Sequence, residues 1–302
     1  MLLIFLNNSG INIKLIPMPI SQNAASILNL KNKPIAPIIT KNEPNNTNIF
    51  LVRNVLKEYI TIHFMRNRIL KLIKEVEKKY KVNIIWAIES GSRAWGFASE
   101  DSDYDIRCMH MGKLDSYLSL DLPSQQINIT KNSLDLESWN IRKFAELSLK
   151  SNPQIAEWLR SPIIYKDSQI RKQFKKYFDA GCSLEFLRQH YVRMAKQNYH
   201  KYMGIGMSHS CKKYLYVLRG IACSIYIEKE KKLPPLPYKE VIQYLPDYVR
   251  KFFERGVIQK NTTEGAQIVS DDKVSHFIDT YIGRSFEKVD TKFKKTKELN
   301  RY

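Results

Sequence analysis

Glu89-Ser90-Gly91-Ser92-Arg93-Ala94-Trp95-Gly96-Phe97, running on through Asp101-Ser102-Asp103-Tyr104-Asp105-Ile106-Arg107, is the stretch whose reading decides the fold. It closes a segment, Val82 to Glu89, that is almost continuously apolar and β-branched, as a strand buried on both faces should be. A strand that ends in Gly-Ser and opens a helix is a phosphate site. Gly91 lets the backbone approach closely, while helix N–H groups and the Ser92 hydroxyl donate to phosphate oxygens. The chain then enters a second strand, about Tyr104 to Met111. There Asp103 and Asp105, two residues apart, project from one face while Tyr104 and Ile106 turn to the core.

A third apolar-alternating stretch, around Ile127 to Leu136, places Asp135 between Leu134 and Leu136, so Asp135 joins the pair if the strands are neighbours. Three carboxylates packed without a cation repel one another and push at least one pKa upward, whereas divalent metal holds them ionised. Hard oxygen ligands select Mg2+ or Mn2+. The chemistry that needs such a cluster is in-line transfer at phosphorus, with two ions roughly 4 Å apart. Asp101, Asp103 and Asp105 also begin like a calcium-binding EF-hand loop, but Ile106 stands where that turn needs Gly and Gly112 where it needs Glu. A bare D-x-D pair is more often a capped or solvated turn; the Gly-Ser, the spacing and the third carboxylate together favour the chemical reading.

Gly91, Ser92, Asp103, Asp105 and Asp135 resemble, position by position, the mark of the DNA-polymerase-β-like nucleotidyltransferases: Gly-Ser, then D-x-D after about ten residues, then a third acidic residue. More closely, Glu89 to Arg107, Asp135-Leu136-Glu137-Ser138-Trp139-Asn140-Ile141-Arg142-Lys143, Asn152-Pro153, Glu157-Trp158-Leu159 and Ser161-Pro162 look like the bacterial and phage branch named for an RNA repair pathway. The likeness covers roughly residues 66 to 250. One departure is Asn140, where the branch leads one to expect Asp. The resemblance implies transfer of a nucleotidyl group from a nucleoside triphosphate to a hydroxyl, with an RNA end as acceptor. Asp103 and Asp105 would bind both metals and Asp135 the catalytic one. Two other classes use the same pocket: a nucleotide or RNA sensor without turnover, and a toxin–antitoxin type modifier of a protein or small molecule.

Farther along, Lys212, Tyr216 and Arg219 share one helix face. The resemblance sets this helix against the cleft, where Lys, an aromatic ring and Arg would hold triphosphate and stack a base. Arg93, just past Gly-Ser, is a further phosphate candidate. Gly204-Ile205-Gly206 is preceded by no strand and reads as a loop.

The organisation expected is α+β: a small mixed sheet in a nucleotidyltransferase domain at about 66–150, then a helical domain at 151–290 and a basic tail at 291–302. The catalytic sheet should end before residue 150, with Ser138 capping a helix whose Ile141, Phe144, Ala145 and Leu149 share a face. Helices are read from Leu187, Tyr191, Met194 and Ala195, from Leu215, Leu218, Ala222 and Ile225, and from Val274, Phe277, Ile278 and Tyr281. Residues 1–64, rich in Asn, Ile and scattered Pro, read as a weakly ordered or peripheral extension, and periodicity begins near Met65 with Ile69, Leu70, Ile73 and Val76. The net charge of +19 signals a polyanionic partner, and since residues 1–64 carry six basic and two acidic side chains, most of the surplus lies beyond them. Cys108, Cys182, Cys211 and Cys223 are widely spaced and read as reduced thiols. Without a signal peptide or an apolar span, the expected place is the cytoplasm and no membrane partner is expected.

Overall fold

Two strands, β1 (Leu2–Asn7) and β2 (Gly10–Leu15), pair antiparallel from Leu2↔Leu15 to Asn7↔Gly10. The structure is a computed structural model that describes residues 2–7, 10–15, 46–120, 122–202, 210–262, 266–268 and 271–287, with side chains from residue 60 onward. It divides into two units, Met1–Leu70 and Lys71–Tyr302. Helix α1 (Asn46–Tyr80) starts well before Met65, where the periodicity first becomes readable, and within it Leu72, Ile73 and Val76 are buried while Lys71 and Lys74 face solvent.

The second unit follows as β3 (Asn83–Glu89), α2 (Gly91–Trp95), β4 (Tyr104–Met111), α3 (Leu114–Leu118), β5 (Gln126–Lys131), β6 (Leu134–Asn140), α4 (Ile141–Leu149), α5 (Pro153–Arg160) and β7 (Ile164–Lys166). Then come α6 (Gln169–Gly181), α7 (Leu184–Tyr202), α8 (Cys211–Glu230), α9 (Tyr238–Val241), α10 (Asp247–Thr262) and α11 (Asp272–Glu287). The fold is α+β, with a five-stranded mixed sheet in the order β5-β6-β4-β3-β7. Only β4 and β6 run parallel, and their register sets Asp105 directly beside Asp135. The condition that these strands be neighbours is therefore met.

Three expectations are corrected here. The stretch read as one strand, Ile127 to Leu136, is a hairpin: Asn132 takes a left-handed φ of 54° and reverses the chain between β5 and β6. Strand β6 then continues to Asn140, so the helix cap is Asn140, whose Oδ1 accepts from the Arg142 N–H at 3.0 Å. Ser138 is instead a buried strand residue 2.8 Å from His110 Nδ1, and Leu149 is 84% exposed. Finally, the sheet does not end before residue 150, because β7 pairs with β3 as its edge.

One apolar cluster runs from Trp86 and Ile88 of β3 through Phe144 and Trp158 to Leu218 of α8 and Ile278 of α11, so strands and helices share a core. Trp158 organises the sheet side of it, its ring 4.1 Å from that of Trp139 at a tilt of 34° and edge-on to Trp86 at 6.3 Å. Helix α8 packs against both α7 and α10, which buries Tyr214, Val217 and Ile221 as well as the expected Leu215, Leu218 and Ala222. All four cysteines are free thiols, and burial pushes the Cys108 thiol far up. Residues 204–206 and the basic tail lie outside the described residues. Among the described residues, no helix is long and apolar enough to cross a membrane.

Candidate active site

At the end of β3 the backbone turns sharply: Ser90 N–H donates to the Asp105 carbonyl at 2.8 Å, and Gly91 opens α2 with φ +60°. A Cβ on Gly91 would stand 2.0 Å from Asp105 Oδ2. Glycine is thus required twice over, for the left-handed backbone and for the space the carboxylate occupies. The short helix ends at Gly96, where the Gly96 and Phe97 N–H groups both donate to the Ser92 carbonyl at 3.0 Å. Ser92 itself is 3% exposed.

The loop between α2 and β4 is held from two sides. Arg93 donates to the carbonyls of Ser102 (2.6 Å) and Asp103 (3.1 Å) and lies over the Tyr104 ring at 3.9 Å. From the other side the buried Lys260 of α10 reaches Ser102 Oγ at 3.0 Å and Ser99 Oγ at 3.3 Å. Asp103 is the exposed member of the acidic set, close enough to Asp105 for its charge to raise the Asp105 pKa.

Beyond Asp103, the open face of the sheet carries Asp105 and Arg107 on β4 against Asp135 and Glu137 on β6, each pair in register. Arg107 Nη2 donates to Asp105 Oδ1 at 3.0 Å and to Asp135 Oδ2 at 2.9 Å, and its Nε lies 3.6 Å from Glu137 Oε2. Burial raises the Asp105 pKa, Arg107 opposes that, and Asp135 adds to it. Beneath this face sits Glu89, fully buried, which accepts the Asp105 N–H at 2.9 Å and the Tyr165 hydroxyl. Burial, with Asp105 adding to it, pushes the Glu89 carboxyl up to about 7.

The Lys212 ammonium also acts on Asp105, lowering its pKa. Lys212, Lys213, Tyr216 and Asn198 line a cavity of about 290 Å³. Arg219, one turn farther along α8, is placed elsewhere. It is 3% exposed, bonded to Glu157 Oε1 at 2.8 Å and to the Leu236 carbonyl, and lies over the Trp95 ring at 4.2 Å. Glu157 also accepts from Trp95 Nε1 (2.9 Å) and the Tyr191 hydroxyl (3.1 Å). The helix therefore brings Lys212 and Tyr216 to the cavity, while Arg219 ties α8 to α5 and α2.

Among the described residues, no group of three or more His, Cys, Asp or Glu side chains is already arranged as a metal site. The donor set nonetheless fits a hard cation, since carboxylate oxygens from two strands converge on one point, filled by Nη2 of the Arg107 guanidinium. Arg107, Glu137, Glu89 and Lys260 were given no role in the sequence reading. The first two continue the period-two alternation that exposed Asp103, Asp105 and Asp135, so extending it by one step would have found them.

Residues 65–302 match the model of RlaP, the RNA repair pathway DNA polymerase beta family. A Bacillus subtilis (strain 168) protein named "Uncharacterized protein YcgL" is 35% identical over 250 residues, covering 78% of this chain and 94% of that protein. A crystal structure of a nucleotidyltransferase-like protein from Exiguobacterium sibiricum 255-15 overlaps 74% of this chain and 75% of its own at 11% identity and a TM-score of 0.32, too loose an overlap to bear on the site. The class is settled by the family match: a nucleotidyltransferase, acting on a nucleotide substrate. More narrowly, the chain belongs to the RNA repair pathway DNA polymerase beta family. At Asn140, where the resemblance led to Asp, the side chain caps α4 and donates to the Tyr117 hydroxyl at 2.9 Å, so this position serves the fold.

Proposed function

We propose that the protein transfers a nucleotidyl group from a nucleoside triphosphate to the hydroxyl of an RNA end, in a reaction dependent on Mg2+ or Mn2+. The observation that carries this reading is the side-by-side register of Asp105 and Asp135 on the parallel strands β4 and β6, next to the Gly91 turn. Asp103, Asp105 and Asp135 would hold the divalent ions. When bound, these supply Lewis acidity and neutralise charge at phosphorus. Gly91 and Ser92 offer backbone to the triphosphate, and Lys212 with Tyr216 offers a cation and a ring beside it. The acceptor hydroxyl oxygen forms a bond to the α-phosphorus, the bond to the bridging oxygen of pyrophosphate breaks, and the hydroxyl proton leaves through the acidic face. Asp135 is the more exposed of the two paired carboxylates at 39%, which supports a role for it on the acceptor side.

The excess of basic side chains beyond residue 64 supports a nucleic-acid acceptor. The test is incubation of the full chain with each labelled triphosphate and Mg2+, with and without RNA, scoring 3′-end extension and pyrophosphate release. Extension is expected for wild type and loss of it for Asp105→Asn with the fold retained. Turnover of that variant within about tenfold of wild type would remove the carboxylates from the chemistry.

A further inference from the structure

We propose that Arg107 is a resident counter-cation for the acidic pair: it must leave Asp105 and Asp135 before a divalent ion can bind them, and Glu137 is the carboxylate that receives it. This rests on the reading of Asp105 and Asp135 as metal ligands. A single nitrogen, Nη2, touches one oxygen of each carboxylate, at 3.0 and 2.9 Å. An ion of Mg2+ size sits about 2.1 Å from its oxygen ligands. If it shared those two oxygens with Nη2, it would face a guanidinium at close range in a partly buried site, where like charges repel strongly. Ion and arginine therefore compete for the same two carboxylates.

The surroundings supply a second place for the arginine. Glu137 stands opposite Arg107 in the β4–β6 register, and its Oε2 is already 3.6 Å from Nε. Meanwhile Nη1 is anchored on the Asp135 carbonyl at 2.9 Å and on the Ile106 carbonyl at 3.2 Å. With Nη1 fixed on backbone, a small rotation of the planar group can trade the two aspartates for the glutamate without the side chain leaving the strand. Glu137 is itself held by Trp139 Nε1 at 2.6 Å and Gln126 Nε2 at 2.7 Å, both on Oε1, so Oε2 is the oxygen turned to Arg107. The acidic pair has a counter-cation in both states, Arg107 before the exchange and the ion after it, so neither state leaves bare carboxylates packed against one another.

The experiment measures Mn2+ binding to the full-length protein without nucleotide, by calorimetry and by the electron spin resonance of free Mn2+, together with melting in chelator. Arg107→Gln removes the competitor, so Mn2+ should bind about tenfold tighter or more, while melting in chelator falls. Arg107→Lys keeps the charge but loses the fork, and its affinity should lie between the two; it also covers the case in which the Gln variant fails to fold. Glu137→Gln removes the place the arginine moves to, so affinity should weaken, opposite in sign to Arg107→Gln. Equal affinity in wild type and Arg107→Gln would overturn the competition and leave the metal ligands standing. Weaker binding in Arg107→Gln would assign the guanidinium to holding the ligands in place, again overturning it. No Mn2+ binding in either protein would remove both the competition and the metal reading of Asp105 and Asp135.

Discussion

Substituting Gly91 tests the tightest geometry in the site. Alanine there places a methyl carbon 2.0 Å from Asp105 Oδ2, so the carboxylate must swing away, and φ +60° is strained for any L side chain. We expect Gly91→Ala to lower transfer about hundredfold, the scale of a misplacement of roughly 1 Å, with kcat rather than triphosphate KM carrying the loss; unchanged steady-state kinetics would separate Gly91 from the placement of Asp105. His110 gives a second residue-scale test away from the carboxylates. Burial lowers its pKa below the ordinary 6.5, and its ring nitrogens lie against Ser138 Oγ and the Ser124 carbonyl. A depressed folded-state pKa contributes stability that is present above 6.5 and is lost as pH falls through the folded value. His110→Gln should therefore flatten the fall in urea midpoint between about pH 7 and pH 5, and an unchanged slope would show that other groups set it. At this scale part of the candidate site is legible: Asp103, Asp105, Asp135 and Gly91 announce themselves by spacing, and the fold sets Asp105 beside Asp135 and Gly91. The Arg107 bridge is less so, because which cation fills an acidic face depends on the register of two strands, β4 and β6, with α3 and β5 between them in the chain.

Among elements, α8 shows why helical periodicity reads only half of a packed helix. Lys212, Tyr216 and Arg219 do share a face by spacing, yet Arg219 is buried because α5 and α2 bring Glu157 and Trp95 to meet it. Nothing local to the helix encodes that neighbour. The pair makes a clear prediction: Glu157→Gln leaves a guanidinium that is 4% exposed without its carboxylate, and should cost about 3 kcal/mol in urea unfolding. A cost of a few tenths would mean that Trp95 and the Leu236 carbonyl suffice. The β5–β6 hairpin is written differently. The apolar phase shifts from Ile127 and Ile129 to Leu134 and Leu136 across four polar residues, Thr130 to Ser133, and the reversal rests on one of them, Asn132, taking a left-handed φ of 54°. Strand β4 matches its expected bounds, since an alternating run flanked by Asp103 and Gly112 carries its own punctuation.

For the molecule as a whole, a chain beginning at Met65 should keep the melting temperature and transfer activity of the full chain within a few degrees and about twofold, as the family match begins at residue 65 and β1 pairs with β2. Insolubility of that chain would make the first 64 residues part of the domain. The net charge of +19 supports a second prediction: RNA affinity should fall with salt by roughly 0.7 log units per log unit for each phosphate contacted on a single strand. Weak, salt-insensitive binding without extension would point to a protein or small-molecule acceptor. The contact from Lys260 to Ser99 and Ser102 has a consequence in time. It joins residues 158 and 161 positions apart, and the loop it grips leads into Asp103. During synthesis the sheet and both aspartates emerge first, while the residue that pins their loop emerges far later. A polypeptide stalled on the ribosome before Lys260, or a message cut short of it, would yield the acidic strands with an unpinned loop. On the proposed function, fragments that end before Lys260 should be inert in nucleotidyl transfer where the complete product is active, and equal transfer by both would show that the contact is dispensable.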